Sequence, residues 1–335
     1  MASTDPTKLK VVKQLSRPDI LFCLARVPGT SQVFFGSSDA KVYGVDLSLE
    51  KPEPQAVAEH ESYVTGLALA GNYVISGGYD CRLIWTAVEN REQVRSIDAH
   101  QSRIRQIVAA PGGQIIASVA DDMVCRLWDV ESGKLLHELR GHEAMTPHHY
   151  PSMLYACAFS ADGSYVATGD KAGHVVVWEV ASGKQAATLE AAGMYTWDPN
   201  HRRHSIGGIR SLAFSPDGTR LVVGGMGTVS NIDHPDVPAR LEIFDWRQGQ
   251  RTHEIAADGK LKGMIQQLVF HPGGDWFVGA GGGYGGMILF YDLTGSKMIF
   301  QDAAPMHVHG IAVNETCDTI YAAGHNKVLI WELKV

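Results

Sequence analysis

The chain is short of charge, of cysteine and of long apolar runs, and each shortage removes a class of protein. Charged residues make up 19% of the 335 positions, and Lys and Arg (29) are outnumbered by Asp and Glu (36), for a formal charge of -7. That balance argues against nucleic acid as a bulk electrostatic partner, although Arg202-Arg203 forms a local basic step. The five cysteines, Cys23, Cys81, Cys125, Cys157 and Cys317, are odd in number and lack CxxC spacing. They read as small buried hydrophobes in a reducing compartment, with neither disulfides nor a structural zinc site. No run of 18 apolar residues exists and the first eight residues hold no apolar segment. Neither a membrane span nor a signal peptide is expected, membrane binding has no support, and the expected location is the cytoplasm. The glycine run Gly279–Gly286, broken by Ala280 and Tyr284, lacks the following Lys-Ser or Lys-Thr of a phosphate cradle. It reads as a wide connection between strands, and no cofactor is expected.

What is present is a repeat. An apolar strand ending in a bulky residue, usually followed by an acid, recurs as Val45-Asp46, Trp85-Thr86, Trp128-Asp129, Trp178-Glu179, Phe244-Asp245, Tyr291-Asp292 and Trp331-Glu332. The successive spacings are 40, 43, 50, 66, 47 and 40 residues. A single four-stranded sheet cannot bury both its faces, so sheets repeated at this period stack into a ring, the β-propeller. Gly (36 residues) sits with Pro where strands must reverse, as at Pro111-Gly112-Gly113, Ala161-Asp162-Gly163 and Ser215-Pro216-Asp217-Gly218. The expectation is one all-β domain over residues 1–335, a seven-bladed propeller. After Trp331 no outer strand remains for the last blade, while Lys10–Leu15 is a strand without a blade. We expect residues 1–7 to be a flexible lead and 8–16 to complete the last blade, which would leave no exposed edge.

Trp128-Asp129, after Gly112-Gly113 and before Gly141-His142, resembles the WD40-repeat (β-transducin-like) family, and the likeness extends over essentially the whole chain. Turns such as Phe214–Gly218 resemble those of bacterial members. The resemblance implies a hydrogen-bonded tetrad of His, Ser or Thr, Asp and Trp inside a blade. Its third repeat matches with His100, Ser118, Asp122 and Trp128, and its second with His60, Ser76, Asp80 and Trp85, where the Asp-to-Trp interval is one residue shorter. In the fourth, His142, Thr168 and Trp178 remain and Ala172 stands in the place of the Asp. Repetition within single blades points to structural support rather than to a hydrolase triad.

Function on such a scaffold belongs to the loops. Three are long: Glu143–Ser152, Met194–Gly208 and Met226–Ala239. They hold Met145, His148, His149 and Tyr150; Tyr195, Trp197, His201, Arg202, Arg203 and His204; and Asn231, His234 and Pro235. Exposed aromatic, Met and Arg side chains are the composition of interface anchors. Tyr195, Trp197, Arg202, Arg203, His148 and His149 are the expected contacts to a protein partner, on a non-enzymatic scaffold or a subunit of a larger assembly. Alternatively, Tyr195 and Trp197 fold back over the base of their own loop. A rival reading is a metal-dependent enzyme or small-ligand binder on a His-rich loop face. There His307-Val308-His309 would offer two ligands on one side of an extended chain, joined by Asp233 or Asp236.

Overall fold

The computed structural model describes residues 4–198, 204–229, 237–256, 262–294 and 296–333. Apart from two three-residue 3-10 turns, Pro6–Lys8 and Ala192–Met194, its regular elements are all β-strands. Val64–Ala70, Tyr73–Gly78, Arg82–Ala87 and Gln93–Asp98 form a four-stranded antiparallel meander in chain order. The same unit recurs over residues 104–140, 154–190, 209–256 and 264–304. The turns explain the meander. Gly163 and Gly218 adopt φ of 71° and 67°, which L side chains rarely reach, and the preceding Asp162 and Asp217 accept hydrogen bonds from Ser160 and Ser215.

One further sheet has six strands. In spatial order they are Val308–Val313, Thr319–Glu332, β1 (Lys10–Arg26), β2 (Gln32–Ser37), β3 (Lys41–Asp46) and β4 (Gln55–Glu59). β1 is 17 residues long, and its two halves have different partners: Lys10–Ser16 pairs with Lys327–Glu332, and Leu21–Arg26 pairs with β2. Pro18 lies between the halves, where the ladder breaks and its missing N–H costs no bond. Of the lead expected to be flexible, Asp5 caps the turn at Pro6–Lys8 through the Thr7 N–H at 2.9 Å. A two-stranded ribbon, Tyr195–Asp198 with His204–Gly207, stands apart from the sheets.

Burial falls from the inside of each sheet outward. The second strands, such as β2 and Ile115–Ala120, are buried on both faces because a neighbouring sheet packs on each side, whereas the outer strand Leu135–Arg140 buries only Leu139. Between two sheets, Ile75, Leu83, Trp85, Ile104, Ile116 and Trp128 share one cluster. Each innermost strand also carries a bulge, at its second or third residue except in β1, where it falls at Phe22 at the start of the half paired with β2. The ladder skips Phe22, Thr65 and Arg105, then Tyr155, Arg210, Gln266 and His309. A bulge turns its extra residue out of the pleat, and all seven side chains line a single cavity of about 440 Å³.

Candidate functional site

Within the third repeat, His100 bonds Asp122 through Nδ1 (3.1 Å) and Ser118 through Nε2 (2.7 Å), and Trp128 Nε1 donates to the same Ser118 oxygen at 2.9 Å. Ser118 is fully buried, with its oxygen engaged by both rings, so the set braces the sheet. Burial opposes the charge of Asp122, but hydrogen bonds from His100, Arg126 and the Gln101 N–H, with the charge of His100, hold its carboxyl well below the usual range. Burial also depresses His100, against the pull of Asp122.

The other two repeats depart from expectation. His60 bonds Asp80 at 2.9 Å and Ser76 at 2.8 Å, yet Trp85 does not complete the tetrad: its Nε1 donates to the Val130 carbonyl at 3.0 Å. The reason is parity. Trp128 faces Ile116, two residues from Ser118 and on the same face; Trp85 faces Ile75, one residue from Ser76, and so points to the opposite face. In the fourth repeat the acid is present after all, two positions before Ala172: Asp170 takes His142 Nδ1 at 2.9 Å, while Thr168 serves His142 and Trp178 at 2.8 and 3.0 Å. The sheet over residues 209–256 uses a different device, a fully buried Glu242 bonded to Arg240 (2.8 Å) and Arg251 (3.1 Å).

Two of the long loops meet. In the first, His149 takes φ 61° and its N–H donates to the Thr146 carbonyl, folding residues 146–150 into a tight turn. That turn lays His148 flat on Trp197, with centroids 4.6 Å apart and planes 9° apart, and brings its Nδ1 within 3.0 Å of the Tyr195 hydroxyl. Tyr150 packs on Trp197 (5.2 Å) and on His204 (5.5 Å). Tyr195, Trp197 and His148 therefore come together, half-buried except for the exposed His148. His149 is exposed and joins none of these ring contacts among the described residues. Arg202, Arg203 and His201 lie outside the described residues, as do Asn231, Asp233, His234, Pro235 and Asp236.

His307 and His309 are neighbours as expected, and His325, which the sequence reading omitted, joins them from the adjoining strand. The three rings are 4.6 to 5.1 Å apart, and His307 is within 20° of parallel to each of the others. Rings stacked in this way direct their nitrogen lone pairs side by side rather than at a common point. His307 Nδ1 donates to the Gly283 carbonyl at 3.1 Å. Burial pushes all three pKa values down, His309 to about 3, with the neighbouring histidines adding to the effect. Among the described residues, no group of three or more His, Cys, Asp or Glu is arranged to hold a metal ion. The glycine run is not a wide connection: Trp276–Gly282 and Gly286–Asp292 pair as far as Gly282 and Gly286, with only Gly283–Gly285 between them. A Cβ on Gly286 would lie 1.6 Å from the Met306 carbonyl oxygen, so close backbone approach accounts for that glycine.

Sequence comparison agrees with this architecture. The family model described as "WD domain, G-beta repeat" matches residues 91–129, 133–179 and 197–229. Apoptotic protease-activating factor 1 of Rattus norvegicus is 28% identical over 142 residues, which is 42% of this chain and 10% of that protein. U3 small nucleolar RNA-interacting protein 2 of Homo sapiens is 36% identical over 93 residues, 27% of this chain and 19% of that protein. Eukaryotic translation initiation factor 3 subunit I of Candida albicans is 26% identical over 220 residues, 63% of this chain and 53% of that protein. The chain thus spans between a tenth and about half of the length of these relatives. No helix among the described residues is long and apolar enough to cross a membrane. Strand order, repeat spacing and family match lead to one statement: the chain carries WD40 repeats on an all-β propeller fold.

Proposed function

We propose that the chain is a single seven-bladed propeller that works without catalysis, as a rigid cytoplasmic platform presenting loop residues to a protein partner, alone or within a larger assembly. The blade count rests on the six-stranded sheet. β1 and Thr319–Glu332, at 17 and 14 residues, are each long enough to serve as two strands, so this sheet amounts to a first and a last blade, the last completed by residues 8–16. The seven bulges on innermost strands support the same count. The relatives' names include a subunit of an initiation factor and an RNA-interacting protein. A scaffold role is the reading common to them, and the acidic balance of this chain favours protein over nucleic acid.

The observation that carries the reading is the stack of His148 on Trp197. It joins two loops 47 positions apart into one preformed aromatic surface, so a partner need not freeze those side chains on docking. Arg202 and Arg203, which lie outside the described residues, remain proposed contacts to the same partner. The test compares affinity capture by the intact protein and by a Trp197→Ala, His148→Ala double variant of matched thermal stability. A partner held by the first and lost by the second supports the assignment; equal retention by both places the contact elsewhere and overturns it.

A further inference from the structure

The cavity lined by the seven bulge residues has a chemistry the loop surface does not share. Its collar consists of two arginines, a histidine, a glutamine, a threonine and two aromatics, with no carboxylate. Arg105 is neutralised from just outside it by Asp121, through paired contacts of 2.7 and 2.6 Å, and also donates to the Tyr79 hydroxyl at 2.5 Å. Among the described residues Arg210 has no such partner. Its guanidinium lies on the face of Tyr155, 3.6 Å from the ring centroid, and among the described residues donates once, to the Gly207 carbonyl at 3.3 Å.

Lys171 packs against the backbone beside Arg210, its Cα 2.7 Å from where a Cβ on Gly208 would stand. It is 7% exposed, and among the described residues its ammonium makes no hydrogen bond. Across the collar, His309 Nε2 is buried and also without a partner. Arg105 and Arg210 on the cavity wall, with Lys171 within electrostatic reach of Arg210 though not itself lining the cavity, thus share one carboxylate, Asp121.

We propose that this collar binds a small dianion of the phosphate-monoester class. Two uncompensated positive charges match a doubly charged group. Arg210 and His309 on the cavity wall, with Lys171 beside Arg210, come from three different repeats, which suits acceptor oxygens projecting in several directions better than a planar carboxylate. A volume of about 440 Å³ is that of a small-molecule site, and Phe22, Tyr79 and Tyr155 supply walls for a flat organic group.

The test is a calorimetric titration with phenyl phosphate. We expect one molecule bound per chain, weakened about tenfold or more by Arg210→Gln and by Lys171→Met, weakened by added salt, and unchanged by Trp197→Ala. Lys171→Met removes no hydrogen bond, so it remains decisive if Arg210→Gln lowers the melting temperature. Absence of binding, or binding indifferent to both substitutions, overturns the proposal. Binding of a tyrosine-phosphorylated peptide without binding of phenyl phosphate also overturns it, and assigns the collar to a phosphorylated protein.

Discussion

Trp85 reaches out of its own sheet to the carbonyl of Val130, whereas Trp128 turns inward to Ser118. The two tryptophans, one residue out of step in consecutive repeats, do different work. Removing Ser118 strands two buried groups, His100 Nε2 and Trp128 Nε1, while removing Ser76 strands only His60 Nε2. Ser118→Ala should therefore destabilise the protein by about 2 to 4 kcal/mol and Ser76→Ala by about half as much. Urea unfolding of the two variants checks this, and equal losses would remove the distinction.

Asp170 accepts from His142, from the Ala172 N–H and from the His174 N–H. Asp170→Ala should cost roughly 3 kcal/mol, comparable with Asp122→Ala. Ala172→Asp should gain nothing, because the histidine is already satisfied. A stabilising Ala172→Asp in thermal denaturation would show that the acid of this repeat has been misplaced.

The stacked histidines make stability depend on pH. His309 in the folded chain titrates at about 3, and His307 and His325 are also depressed, against about 6.5 for an unfolded histidine. Between those values the unfolded chain binds more protons than the folded one, so stability is full above pH 6.5 and falls as the pH drops toward 3. His100 acts in the same direction. Melting temperatures from pH 7 to 5 should decline, and His309→Phe should make the decline shallower; an unchanged slope would exclude His309 as a source.

Deleting residues 1–16 removes the strand paired with Lys327–Glu332 and exposes an apolar edge containing Leu329 and Trp331, both buried in the intact protein. Aggregation, or a clearly lower melting temperature, is the expected result. A truncated protein that melts as the intact one does would mean that this pairing contributes little.

Much of the scaffold was legible because turn residues and strand lengths are local signals, as at Asp162-Gly163 and Asp217-Gly218. Trp85 was assigned to the tetrad although the sequence held the signal against it. Its interval from Asp80 is one residue short, and with a period of two, one residue changes the face. Asp170 was missed because the repeat was aligned by position, although an acid at the end of its strand can reach the same histidine. The meeting of His148 with Trp197 depends on how two separate loops fold, which no spacing encodes. Arg210 and the rest of the collar were hidden for another reason. A bulge breaks the alternation at a single residue, and that residue recurs only once per repeat.

β1 gives the molecule an order of events. Asn326 donates to the Pro18 carbonyl across 308 positions, and Lys10 sits opposite Glu332. During synthesis the first half of β1 must wait, unpaired, until Lys327–Glu332 has been made. The intermediate sheets can form one after another during that interval, but the first half of β1 stays without its ladder throughout. During that interval the edge that β1 later pairs is open to foreign strands, and Val11 and Val12 stay exposed even in the folded protein.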